Sequence, residues 1–379
     1  RAGCIAGRSL TRSKAPGRLF PVGQGPLYAA NGHGAILTDV DGHDYIDMVC
    51  ALGAISLGYD FHEHLRHRGV YSLPHFTEGE AAEAVLLRVA PWASSVRFVK
   101  TGSEALHAAY MVAKASTGRA HVLVGDWSYH GWHEQFQSHT FPFTHRFAHK
   151  DPFTGDMNGD VGSDFDRCRP SEVAAVFIEP HRWEPVSAYW LRQVRDFCDR
   201  VGALMVMDEM VYGLRFAMGG ATELFGIVPN LACYGKALGN GAPVACVVGN
   251  GALHTHGELV SGTYSGDVGA LDDVLAVISV YEKYGVIEHL AKVGLRLQSG
   301  LEAVVASTHA QVVREGAPQH QRLRFADPVM GKTFAGAMAR RGVLWHPDCC
   351  NVMFSHTPEL IDQVLEAAAA AMREVESGV

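Results

Sequence analysis

The sequence predicts an α/β fold built on a mostly parallel sheet. Residues 173–178 and 203–207 are short apolar runs that end in acidic residues, a pattern typical of buried parallel strands. The segment 187–201 between them predicts a helix. Strands that alternate with helices in this way are joined by right-handed crossovers, which makes the strands parallel.

The composition is that of an ordinary globular protein, with 47% apolar and 19% charged residues in a chain of 379. A chain of this length buries a large core and allows about two or three domains. The net charge of −8, without a basic block, argues against nucleic acid as a partner. We also expect no membrane span, because no apolar run reaches about 18 residues.

The eight cysteines are scattered and form no C-x-x-C pair, which predicts reduced thiols in a cytoplasmic protein. The 21 histidines show no ligand spacing on a clear helix, so we expect no metal site. Residues 1–20 contain basic side chains without an apolar core and do not resemble a secretory signal.

Residues 1–25 are rich in glycine, proline and basic side chains and predict an irregular arm. Within this arm, Arg18 is a candidate for binding substrate, and a solvated surface arginine is the alternative. Residues 35–47 predict a hairpin, because two alternating strands flank the turn signal Asp41-Gly42.

The segment that follows predicts a strand at 96–99 and a long helix at 105–116, with a Lys-Thr-Gly-Ser-Glu sequence between them. One interpretation is that the hydroxyl side chain at this helix start serves as an N-cap and has no further role. A helix N-terminus with glycine and hydroxyl groups is also suited to phosphate, because its free N–H groups and its dipole favour an anion. Gly102 and Ser103 are therefore candidate phosphate ligands.

A strand at 121–125 leads to a cluster of aromatic residues that begins at Tyr129. This cluster could pack on the surface, or Tyr129 could stack on a flat cofactor. Residues 142–166 have little periodicity and predict a long loop near the site. The strand at 173–178 ends at Glu179, a second carboxylate at a strand end.

The stretch 203–239 contains the two residues that point most directly to chemistry. Asp208 follows a buried strand, at the end where open α/β sheets bind their ligands. Lys236 follows another apolar segment and lies between glycines. Separately, a turn-capping aspartate and a surface lysine would explain them. Together they suggest pyridoxal phosphate, which a lysine binds covalently while a carboxylate keeps the pyridinium nitrogen protonated.

Beyond this stretch, residues 243–249 predict one more strand, a candidate for an antiparallel one. From residue 268 the pattern changes to long amphipathic helices with one weak strand at 321–325. This part of the chain predicts a second, smaller domain.

The order of six motifs resembles the class III, fold-type-I pyridoxal-phosphate aminotransferases, and in particular their glutamate-1-semialdehyde aminomutase branch. The resemblance covers the chain from about residue 16 to residue 375. The motifs are Val96–Ala105, Tyr129–Gly131, Phe177–Pro180, Asp208–Arg215, Gly235-Lys236 and Gly262–Gly266.

This resemblance implies a fold-type-I architecture with two domains. The large, pyridoxal-phosphate-binding domain would span residues 56–265 and contain a mostly parallel seven-stranded sheet. The smaller α+β domain would combine both termini, residues 1–55 and 266–379. The resemblance also implies a homodimer whose active sites are shared between the subunits.

The resemblance assigns the residues around the cofactor ring. Lys236 would be the Schiff-base lysine, and Asp208 would pair with the pyridine nitrogen. Met210, where the family usually has valine, would pack under one ring face, and Tyr129 would stack on the other. The protonated ring accepts the electrons left when an amino acid loses its α-proton, and the freed Lys236 moves that proton as general acid and base.

Further positions concern the phosphate and the substrate. Gly102 and Ser103 would hold the phosphate at the helix start, and Thr263 would reach the phosphate bound by the partner subunit. Arg18 and Glu179 are candidates for substrate binding. Two dipeptides depart from the family's pattern: Lys100-Thr101 replaces Asn-Ser, and Asp267-Val268 replaces Asn-Pro.

The implied activity is transfer of an amino group from a donor such as glutamate to a ketone or aldehyde of a small biosynthetic intermediate. The Lys-Thr-Gly-Ser sequence and the pair His346-Pro347 resemble relatives that act on sugars or on other small biosynthetic intermediates. An isomerase on the same scaffold, either an aminomutase or an amino epimerase, is the alternative, and the sequence does not decide between them. A role in binding alone is disfavoured because both Lys236 and Asp208 are present.

Overall fold

The structure, a computed structural model, describes residues 18–64, 69–125, 127–137, 142–147, 169–180, 183 and 186–377. The chain divides into two units. The smaller comprises Arg1–Glu63, Arg182–Glu184 and Glu288–Val379, and the larger comprises His64–His181 and Pro185–Ile287.

The secondary structure is numbered in chain order. The strands are β1 (Ala29–His33), β2 (Ile36–Asp39), β3 (Asp44–Asp47), β4 (Ser95–Val99), β5 (His121–Gly125), β6 (Thr144–Phe147), β7 (Val173–Ile178), β8 (Leu204–Asp208), β9 (Leu231–Tyr234), β10 (Ala245–Gly249), β11 (Val312–Ala317), β12 (His320–Phe325), β13 (Val343–Leu344) and β14 (Cys350–Asn351). The helices are α1 (Cys50–Gly53), α2 (Phe76–Ala84), α3 (Gly102–Thr117), α4 (Glu134–Gln137), α5 (Ala188–Val201), α6 (Gly220–Phe225), α7 (Gly251–His256), α8 (Val268–Tyr284), α9 (Val286–Ala306), α10 (Pro328–Ala339) and α11 (Pro358–Ser377).

The larger unit contains a seven-stranded sheet with the order β4-β10-β9-β8-β7-β5-β6. Strand β10 is antiparallel to both of its neighbours, and the other six strands run in one direction. The mostly parallel sheet and the antiparallel strand near residues 243–249 are thus confirmed. One predicted loop is wrong in part, because β6 lies within residues 142–166 and pairs with β5. Residues 148–166 of that predicted loop lie outside the described residues.

Local signals set the ends of the two longest helices that flank this sheet. Helix α3 begins after Thr101, whose hydroxyl accepts the N–H of Glu104. The Glu104 carboxylate in turn accepts the backbone N–H of Thr101. Helix α5 begins after Ser187, whose hydroxyl accepts the N–H of Trp190 at 3.1 Å. Each helix ends at a glycine in the left-handed conformation, Gly118 and Gly202 respectively.

Helix α3 lies directly on the sheet because its inner face is built largely from alanine. Ala105, Ala108, Ala109 and Ala113 are all buried, and the helix packs on β7, β9 and β10. Small side chains let the helix backbone approach the strands closely. This packing fixes the N-terminus of α3 at the carboxyl edge of the sheet.

Helix α8 belongs to the larger unit, whereas the resemblance implies a domain boundary before it, at residue 265. The helix packs against α2, and Arg88 and Glu282 form an ion pair 3.0 Å long between these regions. The first boundary also differs, because the smaller unit extends to Glu63 rather than residue 55. Amphipathic periodicity shows that α8 buries one face, but it does not show which partner covers that face.

The smaller unit contains two further sheets, β1-β2-β3-β13 and β11-β12-β14. The predicted hairpin is confirmed as β2 and β3, and Gly42 at its turn has a φ of +86°. Asp39 stabilises this turn, since its Oδ1 accepts the N–H groups of Asp41 and His43, both at 2.9 Å. The weak strand expected at 321–325 is β12, and its partner β11 is an additional strand.

His356 is a buried histidine of the smaller unit, and it makes the stability of the protein dependent on pH. Its side chain is 0% exposed, and its Nδ1 accepts the backbone N–H of Met353 at 3.1 Å. Burial lowers the pKa of His356 from 6.5 to about 4. The unfolded chain therefore binds a proton that the folded chain does not, and stability is lost as the pH falls from 6.5 towards 4.

We expect the change His356→Asn, which keeps an acceptor at the Nδ1 position, to reduce this dependence. Between about pH 7.5 and about pH 5, the free energy of unfolding should fall by about 2 kcal/mol more in the wild-type protein than in the variant. Denaturant titrations at the two pH values measure this difference. An equal loss of stability in both proteins would contradict the assignment to His356.

Candidate active site

The site lies at the carboxyl edge of the seven-stranded sheet. Strands β7 and β8 end at this edge with Glu179 and Asp208, and β9 leads to Lys236. Strand β4 runs in the same direction and leads to the start of α3. Because parallel strands end on one side, residues distant in the sequence gather here.

Asp208 is a buried carboxylate, with a side chain only 2% exposed. Its Oδ1 accepts the backbone N–H of Met210 at 3.1 Å, and its Oδ2 lies 2.8 Å from Nδ1 of His130. Beside it on β9, burial and the negative charge of Asp208 together raise the pKa of the Cys233 thiol. The two hydrogen bonds fix the orientation of the Asp208 carboxylate, and neither of them caps a helix.

His130 is a site residue that the sequence analysis did not single out. It lies in the Tyr129–Gly131 motif beside the predicted site residue Tyr129, but the imidazole is the buried member of the pair, at 3% exposed. Its ring packs against Phe136 and Phe177, with centroids 5.5 and 5.8 Å away. The aromatic packing and the Asp208 contact leave the imidazole one orientation.

Met210 joins three parts of the site through close contacts with glycine. A Cβ atom at Gly102 would lie 2.9 Å from the Met210 sulfur, and one at Gly235 would lie 2.8 Å from it. Real Cβ atoms do not approach sulfur so closely, so both positions require glycine while Met210 occupies this place. Met210 thus holds the start of α3 and the residue before Lys236 next to the end of β8.

Lys236 has an unusual backbone conformation for a lysine. Its φ is +49°, a region that costs a residue with a side chain roughly 1 kcal/mol. The strained residue opens a single helical turn in which the N–H of Gly239 donates to the carbonyl of Lys236 at 3.1 Å. The half-buried side chain is therefore presented by a tight turn at the sheet edge rather than by a free loop.

The start of α3 forms a cradle lined with small residues. The side-chain oxygen of Ser103 accepts the N–H of Trp132 at 3.2 Å. Gly131, with a φ of +94°, approaches so closely that a Cβ atom there would lie 2.4 Å from this oxygen. The first N–H groups of a helix have no acceptor within the helix, so Gly102 and Ser103 present donors for an anion.

The neighbouring carboxylates have other roles. The Glu179 side chain is 2% exposed, and its Oε2 accepts the N–H of Tyr129 at 2.8 Å. Glu209 accepts the N–H of Ala221 at 2.9 Å and both the N–H and the hydroxyl of Thr222 at 2.8 and 2.7 Å. Burial raises the pKa of Glu209 to about 7, against the effect of these bonds. Asp208 is the carboxylate that bonds to His130.

Three further predicted site residues, Tyr129, Thr263 and Arg18, are exposed. The Tyr129 side chain is 51% exposed, although its backbone is held by Glu179. Thr263 is exposed in the turn closed by a bond from Ser265 N–H to the Gly262 carbonyl, 3.1 Å long. Arg18 is exposed and belongs to the smaller unit.

The residues present fit a cofactor with an anionic group and a ring nitrogen that needs a negative partner. Glycine-lined N–H donors suit a phosphate, and the buried Asp208 carboxylate suits a protonated nitrogen. Within the described ranges, no group of three or more histidine, cysteine or acidic side chains could hold a metal ion. Over the same ranges, no helix combines the length and apolarity that crossing a bilayer demands.

This combination of a lysine, a carboxylate and a helix N-terminus at one edge of a seven-stranded sheet defines the fold-type-I enzymes that use pyridoxal phosphate. The chain belongs to the class III aminotransferases, whose family model, Aminotransferase class-III, matches residues 20–371. The expected fold, family and cofactor are thereby confirmed.

The comparisons with known proteins include both aminomutases and transaminases. Glutamate-1-semialdehyde 2,1-aminomutase of Thermomicrobium roseum is 30% identical, with 96% of this chain and 95% of the relative covered. The same enzyme of Roseiflexus castenholzii is 29% identical, with 96% and 94% covered. The FumI protein of Sphingopyxis sp. MTA144, solved in its PLP internal aldimine form, has a TM-score of 0.89 and 26% identity over 99% of this chain and 94% of that one.

A second solved structure, an omega-transaminase from Sphaerobacter thermophilus, has a TM-score of 0.81 at 23% identity and covers 99% of this chain and 96% of that one. At that identity the similarity concerns the fold alone. Together, the family and the relatives make this chain a pyridoxal-phosphate-dependent enzyme of the transaminase or aminomutase type.

Proposed function

We propose that the protein is an aminotransferase that moves an amino group from a donor such as glutamate to a ketone or aldehyde of a small biosynthetic intermediate, with sugars among the candidates. The observation that carries the proposal is the buried His130–Asp208 pair beside the strained turn of Lys236. A cytoplasmic location is part of the same proposal, because the cysteines are scattered along the sequence and form no C-x-x-C pair.

The cofactor would be held by groups on three sides. Gly102 and Ser103 would donate N–H groups to its phosphate, and Asp208 would pair with its ring nitrogen. Met210 would contact one face of the ring, and Tyr129 the other. When bound, pyridoxal phosphate supplies a conjugated, protonated ring that accepts the electron pair left by the departing proton of the substrate.

The protein's own groups would handle the proton and the water. Lys236 Nζ would take the α-proton of the amino acid as general base and return it to the other carbon as general acid. Asp208 would hold the proton on the ring nitrogen, because its carboxylate is buried and cannot turn away from His130. Burial at this edge also keeps water from competing for the Asp208 oxygens.

The second candidate function is an aminomutase, which the names of the curated relatives favour. A donor-dependence experiment separates the two functions. With ¹⁵N-labelled glutamate and a panel of ketones, aldehydes and keto-sugars, an aminotransferase places the label in the product. An aminomutase instead converts glutamate 1-semialdehyde alone, without net transfer from a donor. If none of the compounds in the panel received the label, the first proposal would be contradicted.

We further propose a homodimer with shared sites, in which Thr263 contacts the phosphate bound mainly by the partner subunit. Sedimentation should show a dimer, and a subunit-mixing experiment tests the sharing. A Lys236→Ala subunit and a Thr263→Asp subunit should each be nearly inactive alone. A mixed dimer then contains one site with both residues intact, so equal mixing should restore about a quarter of the wild-type activity.

The mixing result depends on which chain supplies Thr263. If Thr263 served the site of its own subunit, every site in the mixed dimer would lack one residue and no activity would return. Active monomers in sedimentation would contradict the dimer itself. Native mass spectrometry of the mixture, which separates the two homodimers from the mixed dimer by mass, serves as the control for subunit exchange.

A further inference from the structure

The two dipeptides that depart from the family's sequence pattern meet in the structure. Lys100 precedes the phosphate cradle, and Asp267 follows the loop that contains Thr263. Although 167 positions apart, Lys100 Nζ and Asp267 Oδ2 form an ion pair 3.1 Å long. The two side chains are 19% and 25% exposed, so the pair is partly shielded from solvent.

Asp267 does not make the bonds expected of its position. It precedes α8 as its N-cap, yet its side chain makes no capping bond to the helix. Its Oδ1 instead accepts the N–H of Gly69 at 3.2 Å, and the N–H of Val268 donates to the Gly69 carbonyl at 2.9 Å. The carboxylate therefore links the start of α8 to two other segments of the larger unit.

Lys100 is itself held firmly at the start of α3. Its backbone N–H and that of Thr101 both donate to Oε2 of Glu104 at 2.8 Å. The position of the Lys100 ammonium is thus coupled to the first turn of α3, where Gly102 and Ser103 lie. A shift of Asp267 would act on this turn through the lysine.

We propose that the Lys100–Asp267 ion pair is a positioning contact that holds the Gly102-Ser103 cradle for the cofactor phosphate of its own subunit and the Gly262–Gly266 loop for that of the partner subunit. This inference rests on the phosphate assignment made under the proposed function. Each phosphate needs a cradle and a loop that are in place before it arrives. Loss of either Lys100 or Asp267 should therefore weaken binding of pyridoxal phosphate.

A simple electrostatic effect predicts a different outcome from a positioning contact. If only the charges near the phosphate mattered, Lys100→Met would weaken cofactor binding and Asp267→Asn would strengthen it. If the pair positions the two segments, both changes weaken binding. The double variant should then be no weaker than either single variant, because both remove the same contact.

The test is a titration of the apoenzyme with pyridoxal phosphate, followed by absorbance, with a thermal melt of each apoenzyme. We expect each single variant and the double variant to bind about 5-fold more weakly than wild type, the scale of a partly exposed ion pair. The exchanged pair, Lys100→Asp with Asp267→Lys, should recover part of the affinity. The apoenzyme melts should change little.

The exposed Arg296–Asp362 pair provides a matched control, because it has bonds of 2.7 and 2.6 Å and lies in the smaller unit. Arg296→Met should leave cofactor affinity unchanged. Affinity of Asp267→Asn equal to or above wild type would overturn the positioning role, as would losses that add in the double variant. Failure of the wild-type protein to bind pyridoxal phosphate would instead overturn the phosphate assignment itself, and this inference with it.

Discussion

Replacement of Lys236 by alanine should lower turnover by at least ~10⁴-fold, the largest effect that we expect from one substitution. General acid–base catalysis alone contributes about 10²–10⁴-fold, and Lys236→Ala would remove that group and the covalent attachment of the cofactor together. Turnover in the labelled-glutamate assay measures the effect. Purified wild-type protein should be yellow, and the variant should lose the absorbance that depends on its lysine.

The control for this result is Lys283→Ala, which removes another lysine of the larger unit. Lys283 lies on α8 with its Nζ 4.9 Å from the ring centroid of Tyr284, and it should be dispensable for turnover. Alanine at a φ of +49° has the same backbone cost as lysine. We therefore expect Lys236→Ala to leave the strain of this turn unchanged. A Lys236→Ala protein that completes catalytic cycles at an appreciable rate would contradict the assignment.

Replacement of Asp208 by asparagine should slow transamination by at least ~100-fold while the protein still binds cofactor. The change keeps the size of the side chain but removes the charge that favours a proton on the ring nitrogen. The ring then accepts the substrate's electrons less readily, and a contact of this kind contributes about 3 kcal/mol to the transition state. Half-reaction kinetics with an amino donor measure the effect directly.

A purely structural role for Asp208 would give a different pattern. Loss of a turn or helix cap costs about 1 kcal/mol of stability with little change in turnover. Glu209→Gln is the matched control, because the neighbouring carboxyl is equally buried but bonds to Ala221 and Thr222. We expect Glu209→Gln to lower the melting temperature more than the rate per folded enzyme. Near-normal proton abstraction by Asp208→Asn would mean that another carboxylate has this role.

The sequence alone predicted much of the larger unit because its signals are local. Apolar runs that end in acidic residues marked β7 and β8, and the Thr-Gly-Ser segment marked the start of α3. Hydrophobic periodicity, capping residues and turn residues act over a few neighbouring positions, so one sequence is enough to identify them. The positions of Asp208 and Lys236 at strand ends followed from the same signals.

Contacts between segments far apart in the chain are visible only in the folded protein. The sheet order separates β5 from β8 by β7, so nothing in local periodicity indicates that His130, after β5, reaches across to Asp208. Likewise, β10 follows β9 in sequence but also pairs with β4. The Lys100–Asp267 contact and the partner of α8 depend on that same order. Strand order is set by the packing of the whole core, which residues at nearby positions do not encode.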